Sequence, residues 1–187
     1  MTGTSTRLER FRQHKDDFFR SHPESPLLPE QRERFTGLRY YPEDPELRFT
    51  VTLDDEGVSH DPVVLATTTG VPEEFRPAGR AHLTINGQPV TLMVYRQPGR
   101  GRYFLPFRDA TAGTETYGVG RYVDPQELPD GRVVIDFNYA YNPYCAYNDQ
   151  WTCPIPPAEN ILSVPIRAGE KSFHDEEDEG PSFRLTR

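Results

Sequence analysis

Between Ala81 and Val94, two runs of alternating apolar and polar residues meet at Asn86-Gly87. A two-residue Asn-Gly loop is the sequence form of a tight turn whose twist matches that of paired antiparallel strands. It predicts register as well as topology, placing Leu83 opposite Val90 and Ala81 opposite Leu92, with the apolar partners on one face. A lone hairpin is at best marginally stable in water, so that face needs further strands against it.

The neighbouring segments supply them. Leu47, Phe49, Val51 and Leu53 alternate with Arg48, Thr50 and Thr52, and Asp54-Asp55-Glu56-Gly57 then turns the chain. Val63 to Thr68 is rich in β-branched residues and predicts a strand buried on both faces at its start. After a turn at Pro98-Gly99-Arg100-Gly101, Tyr103 to Phe107 completes a three-strand meander, and Pro106 pushes that last strand toward an edge or a bulge. Arg121-Tyr122-Val123 and Arg132 to Asn138 flank Asp124-Pro125 and Asp130-Gly131, predicting a further hairpin with a longer connection. Leu162 to Arg167 predicts the last strand.

Helical signals gather at the N-terminus. Thr6-Arg7-Leu8-Glu9 has capping-box spacing and opens a helix over 6–21, which Ser21-His22-Pro23 ends. A shorter helix starts at Pro29 and finishes near Phe35, and Tyr40 to Pro45 is a proline-rich turn laid against the domain. Closely spaced strands after helices predict a mainly β (α+β) fold, an antiparallel β-barrel or sandwich with N-terminal helices.

A chain of 187 residues suits one core, here a single β-rich domain over 1–169. The hydrophobic share is only 35%, so the 11 Phe and 10 Tyr must provide much of the buried area. Residues 170–187, with the acidic run Asp175 to Glu179, read as a flexible tail unless Phe173 or Phe183 docks. A net charge of −8, without a basic patch, argues against nucleic acid as a partner. Met1 to Arg20 carries charges throughout and no apolar run, which speaks against a signal peptide or membrane span and makes the cytoplasm the default location. Two cysteines are too few for a disulfide framework.

The stretch from Phe104 to Tyr122, FLPFRDATAGTETYGVGRY, mixes charges, hydroxyls and glycines. If Arg108, Asp109, Glu115 and Arg121 converge, an arginine fork could hold a carboxylate or phosphate and a carboxylate could accept a proton. Arginine–carboxylate pairs that orient two loops explain the same residues without a ligand. Gly118-Val119-Gly120 lacks the third glycine of a nucleotide loop and predicts close backbone approach. Asp136 to Asn148, DFNYAYNPYCAYN, suits either a ligand pocket or a rigid irregular loop. Cys145 and Cys153 lack zinc spacing and a nearby His, making them weak metal candidates and more simply small packed hydrophobes.

The runs at 105–122, 136–148 and 153–160 (CPIPPAEN) resemble the bacterial and archaeal family of domain of unknown function 1684 (DUF1684). The resemblance extends from the first helix to Gly169 and brings no activity or cofactor with it. It implies that Arg108, Asp109, Thr111, Glu115, Tyr117, Asn142 and Cys145 occupy signature positions, while the acidic tail lies outside the pattern.

The leading expectation is a site for a small polar or anionic molecule, formed by the 108–122 and 136–160 loops and lined by Arg108, Glu115, Tyr117, Arg121 and Asn142. The alternative is an enzyme, most simply a hydrolase, with Asp109 or Glu115 as general base. A third is an interaction module without a pocket. No cofactor is predicted, and oligomeric state is left open.

Overall fold

The computed structural model describes residues 5–97, 99 and 101–173. Helix α1 (Arg7–Ser21) opens with the expected capping box: Thr6 Oγ1 accepts from Glu9 N at 3.1 Å, and Glu9 Oε2 accepts from Thr6 N at 2.7 Å. Leu8 and Phe19 are its buried residues, and Phe11 and Phe19 meet the rings of Tyr139 and Tyr147, each at 4.9 Å between centroids. The helix therefore docks on the Tyr- and Asn-rich segment that follows the strands. Helix α2 (Pro29–Arg34) adds to this contact, since Gln31 donates to the Tyr147 carbonyl at 2.8 Å.

The strands are β1 (Arg48–Val51), β2 (Val63–Leu65), β3 (Glu73–Ile85), β4 (Gln88–Arg96), β5 (Tyr103–Phe107), β6 (Arg121–Val123), β7 (Gln126–Glu127) and β8 (Val133–Asp136). They form two antiparallel sheets, a five-stranded one ordered β2-β3-β4-β5-β6, curled into a half-barrel, and a three-stranded one ordered β1-β8-β7. The β3–β4 hairpin has the register that Asn86-Gly87 predicts, with Leu83 opposite Val90 and Ala81 opposite Leu92. Asn86 and Gly87 both take positive φ, at 51° and 75°. A bulge between Pro77 and Gly79 bends β3 where Asp54, just past β1, bridges to Arg80. Both sheets contribute to one core, with Leu92, Val94, Leu105 and Phe107 meeting Ile135 and Phe137.

Several local expectations change. Arg121-Tyr122-Val123 does not pair with the strand after it but joins β5, and the hairpin there is β7–β8. Asp124-Pro125 is where the chain crosses between sheets, and Pro125 has no N–H to continue a ladder. Val64 is 61% exposed, because β2 forms the edge of its sheet rather than its middle. Leu162 to Arg167 keeps the two-residue period, with Leu162, Val164 and Ile166 buried, but is not a regular strand. Its backbone bonds instead with Arg108, Ala110, Asp109 and Arg121.

Pro106 lies inside the sheet. The β4–β5 ladder covers only Tyr95–Phe104 and Arg96–Tyr103, and beyond it the two strands are joined by a side chain. Fully buried Asn160 accepts from Met93 N at 2.8 Å and donates to Met93 O and Pro106 O at 2.9 and 2.7 Å. A carboxamide carries the acceptor and paired donors that a missing backbone unit would supply.

The segment 170–173, expected to lie in a tail unless Phe173 docks, packs on the body. Glu170 is 1% exposed and Phe173 packs on Tyr147, so 170–173 belong to the folded body. The acidic run and Phe183 lie outside the described residues.

Candidate functional site

The two motif loops do meet. Tyr122 and Tyr141 bridge their backbones, and Tyr117 Oη lies 3.6 Å from Cys145 Sγ. Gly120 makes the close approach that its sequence suggests: its φ is 132°, and a Cβ there would sit 2.6 Å from Phe107 O and 2.7 Å from Pro156 Cγ.

Arg121 is 1% exposed. It donates to the carbonyls of Ile166, Ala168 and Glu170 and to Asp109 Oδ1 at 3.3 Å. Burial pulls its pKa below the ordinary guanidinium value, and the Asp109 charge opposes that shift. Asp109 Oδ2 accepts from Thr111 N, Thr111 Oγ1 and Ile166 N. This pair takes the place of a strand ladder for the 162–170 segment, and neither member faces solvent. A general base must be within reach of a substrate proton, which Asp109 in this position is not.

Glu115 is half-exposed and holds Arg167 through a bidentate pair of 2.7 and 3.0 Å, while Tyr41 Oη donates to it at 2.9 Å. The Arg167 bonds lower the Glu115 pKa, while burial, aided by the Glu115 bond, raises Tyr41 to about 12. Arg108 is exposed and gives Nε to the Gly118 carbonyl at 2.9 Å. Of the five expected ligand-binding residues, Arg121 and Asn142 are therefore interior, while Arg108, Glu115 and Tyr117 reach the surface.

Asn142 leads to a group that the sequence did not reveal. Its N–H donates to Glu170 Oε2 at 2.9 Å, as does Tyr147 Oη at 2.5 Å, and Lys15 ion-pairs with Glu170 Oε1. Around this buried carboxylate stand side-chain atoms with no hydrogen-bond partner among the described residues: Arg12 Nε and Nη2, Tyr40 Oη, Arg121 Nε and Asn142 Oδ1. The Arg12 guanidinium lies 4.4 Å over the Tyr40 ring, and burial lowers its pKa. Arg12 and Lys15 are one turn apart on α1, a spacing that puts both on the face docked to the body. Capping chemistry located α1, but its sequence carried no sign that its cations point inward.

On another wall, a cleft of about 430 Å³ is lined by Gly101, Arg102, Tyr103 and Asp124 to Glu127. Asp124 is exposed at the cleft mouth, where Tyr141 Oη donates to it at 2.9 Å, and partial desolvation shifts its pKa upward against that bond. The two cysteines are free and adjacent, with Cys145 N donating to Cys153 Sγ at 3.3 Å. Among the described residues no three His, Cys, Asp or Glu side chains group as metal ligands, and no helix is long and apolar enough to cross a membrane.

A curled antiparallel half-barrel, closed by a small second sheet and by polar loops that splice strands through side chains, defines the structural class. The sequence model of the protein of unknown function family DUF1684 matches residues 33–171, and the chain belongs to that family. It is also similar to an uncharacterized protein of Haloarcula marismortui solved by solution NMR. The identity is 35%, the TM-score 0.67, and the match covers 88% of this chain and 91% of the other. No curated protein matches the chain.

Proposed function

We propose that the protein binds a small anionic molecule, one bearing a carboxylate or similar oxyanion, at the seam between α1, Tyr40 and the 136–142 segment. The observation that carries this reading is the Nε–Nη2 edge of Arg12, buried and without a hydrogen-bond partner among the described residues, with Tyr40 Oη in the same condition. That edge is the fork that matches two oxygens of a carboxylate or phosphate, and a buried donor left unmade costs about 1–3 kcal/mol. Lys15 does not compete for the anion, because Glu170 holds it. Asn142 links this seam to the 136–160 loop, while Arg121 supports it from behind by fixing the Glu170 backbone.

Thermal shift with a panel of mono- and dicarboxylates, phosphate and phosphate monoesters tests the reading. A ligand at a hundred times its Kd stabilises by about 2.7 kcal/mol, a rise of roughly 5–10 °C for a chain of this size. The rise should vanish in Arg12→Met and shrink in Tyr40→Phe. Hits that persist undiminished in both variants place the anion elsewhere.

The Asp124 cleft favours a second reading, an enzyme in which Asp124 takes the acid–base role first considered for Asp109 or Glu115. Its raised pKa and hydrogen bond from Tyr141 are the supporting observations. A hydrolytic activity that survives Asp124→Asn would end this reading.

A further inference from the structure

We infer that Cys145 is a peroxide-reactive thiol and that Cys153 resolves it, so that oxidation closes the 145–153 loop with a disulfide. The inference is independent of the anion site.

Geometry carries it. Cys145 sits on the 3-10 turn Tyr144–Ala146 and is half-exposed, whereas Cys153 is buried. Two polar contacts converge on the pair: Tyr117 Oη donates to Cys145 Sγ at 3.6 Å, and Cys145 N donates to Cys153 Sγ at 3.3 Å. Cys153 is fixed from the other side, its N donating to Thr68 Oγ1 at 3.2 Å and its carbonyl accepting from Thr68 N at 3.0 Å. Pro143, capping the turn, and Pro154, bridged to Thr67, restrain the backbone next to each cysteine. Two thiols packed only as small hydrophobes would not gather such donors.

The same donors supply what a histidine base would otherwise provide. Hydrogen bonds, that from Cys153 first and from Tyr117 and Thr68 after it, lower the Cys145 pKa against the opposing effect of burial. The Cys153 pKa moves up, through its bond to Cys145 and through burial. One thiol is thus set to ionise first, and that one is nearer solvent.

The chemistry balances with a hydroperoxide as oxidant. Cys145 thiolate attacks the terminal peroxide oxygen, the S–O bond forms as O–O breaks, and the departing alkoxide or hydroxide takes a proton. Cys145 is then a sulfenic acid, oxidised by two electrons. Cys153 attacks that sulfur, S–S forms as S–O breaks, and the released hydroxide takes the Cys153 proton to leave as water. Two thiols and one hydroperoxide give one disulfide, one alcohol or water, and one further water.

The experiment uses the full chain, reduced and shown by circular dichroism to be folded. Iodoacetamide labelling followed by peptide mass spectrometry should modify Cys145 several-fold faster at pH 7 than it modifies glutathione, and Tyr117→Phe should slow that reaction. Stoichiometric hydrogen peroxide should remove two hydrogens from the intact mass, with the mapped crosslink joining Cys145 to Cys153. In Cys153→Ser the reaction should stop at a sulfenic acid on Cys145 that dimedone traps, and in Cys145→Ser neither product should form. Labelling of wild-type Cys145 no faster than glutathione overturns the inference. So does peroxide treatment that yields sulfinic acid without the crosslink, and both readouts on the wild type need no variant to fold.

Discussion

Replacing Asn160 by Ala tests whether one side chain completes the half-barrel. The change strands three buried backbone groups, Met93 N, Met93 O and Pro106 O, in a place where β4 and β5 have already parted. The lost N–H partner costs about 1–3 kcal/mol, and the two carbonyls and the small void left by the side chain add to it. A total of roughly 3–5 kcal/mol is a large part of the usual 5–15 kcal/mol of a folded domain. Tm should fall on the order of 10 °C, and urea unfolding at constant m-value should report the same loss. Asn160→Asp sharpens the test. It keeps the acceptor for Met93 N but sets a carboxylate against two carbonyl oxygens, so its folded pKa must rise above the unfolded value of about 3.9. The penalty is absent below the unfolded pKa and grows as pH rises, so the gap to wild type should widen from acid to neutral pH. An Asn160→Ala variant within about 1 kcal/mol of wild type, with an Asn160→Asp gap that ignores pH, would refute the splice argument.

The buried pair offers a second test: Arg121→Met leaves Asp109 charged without its cation and should cost about 3–5 kcal/mol by urea unfolding, part of it recovered on adding Asp109→Asn. Glu115→Gln should cost less than about 1 kcal/mol, since its pair with Arg167 is solvent-exposed. Because Arg167 holds the Glu115 pKa down, the wild-type advantage should be full above the ordinary Glu pKa and disappear as pH falls through the depressed value. Melting curves that keep the same separation at acid and neutral pH would contradict that sign.

Local rules made the first half of the molecule legible. Thr6 and Glu9 announced α1, and Asn86-Gly87 set the register of β3 and β4 residue for residue. The loops after β5 were legible only as a place. Composition singled out 108–160, but could not tell that Arg121 would serve three carbonyls rather than a ligand, because those carbonyls lie 45 or more residues away. Glu170 was misjudged for the same reason: beside an acidic run it reads as solvated, and its partners Lys15, Asn142 and Tyr147 come from distant segments. The spacing of Cys145 and Cys153 does not tell the two thiols apart, because the Tyr117 hydroxyl that distinguishes them comes from the other loop.

These outcomes share one physical cause. Strands β3 and β4 satisfy their backbones largely through one another, which needs only alternation and a turn, so sequence period finds them. The wall made by 106–122 and 156–170 has little ladder between its two segments, since Pro106, Pro156, Pro157 and Pro165 remove donors along its course. Every buried carbonyl and N–H there still requires a partner, and side chains of Asp109, Arg121, Asn142 and Asn160 provide many of them. A polar residue in these loops is therefore expected to be structural unless its own donors are left over. That criterion passes over Asp109 and Asn160, whose polar atoms are used, and Arg121, whose single spare Nε lies in the interior beside bonds already made. It selects Arg12, two of whose donors lack a hydrogen-bond partner among the described residues on the edge suited to an oxyanion, and Tyr40 beside it, which is why the proposal looks to the α1 seam rather than to the most charged motif.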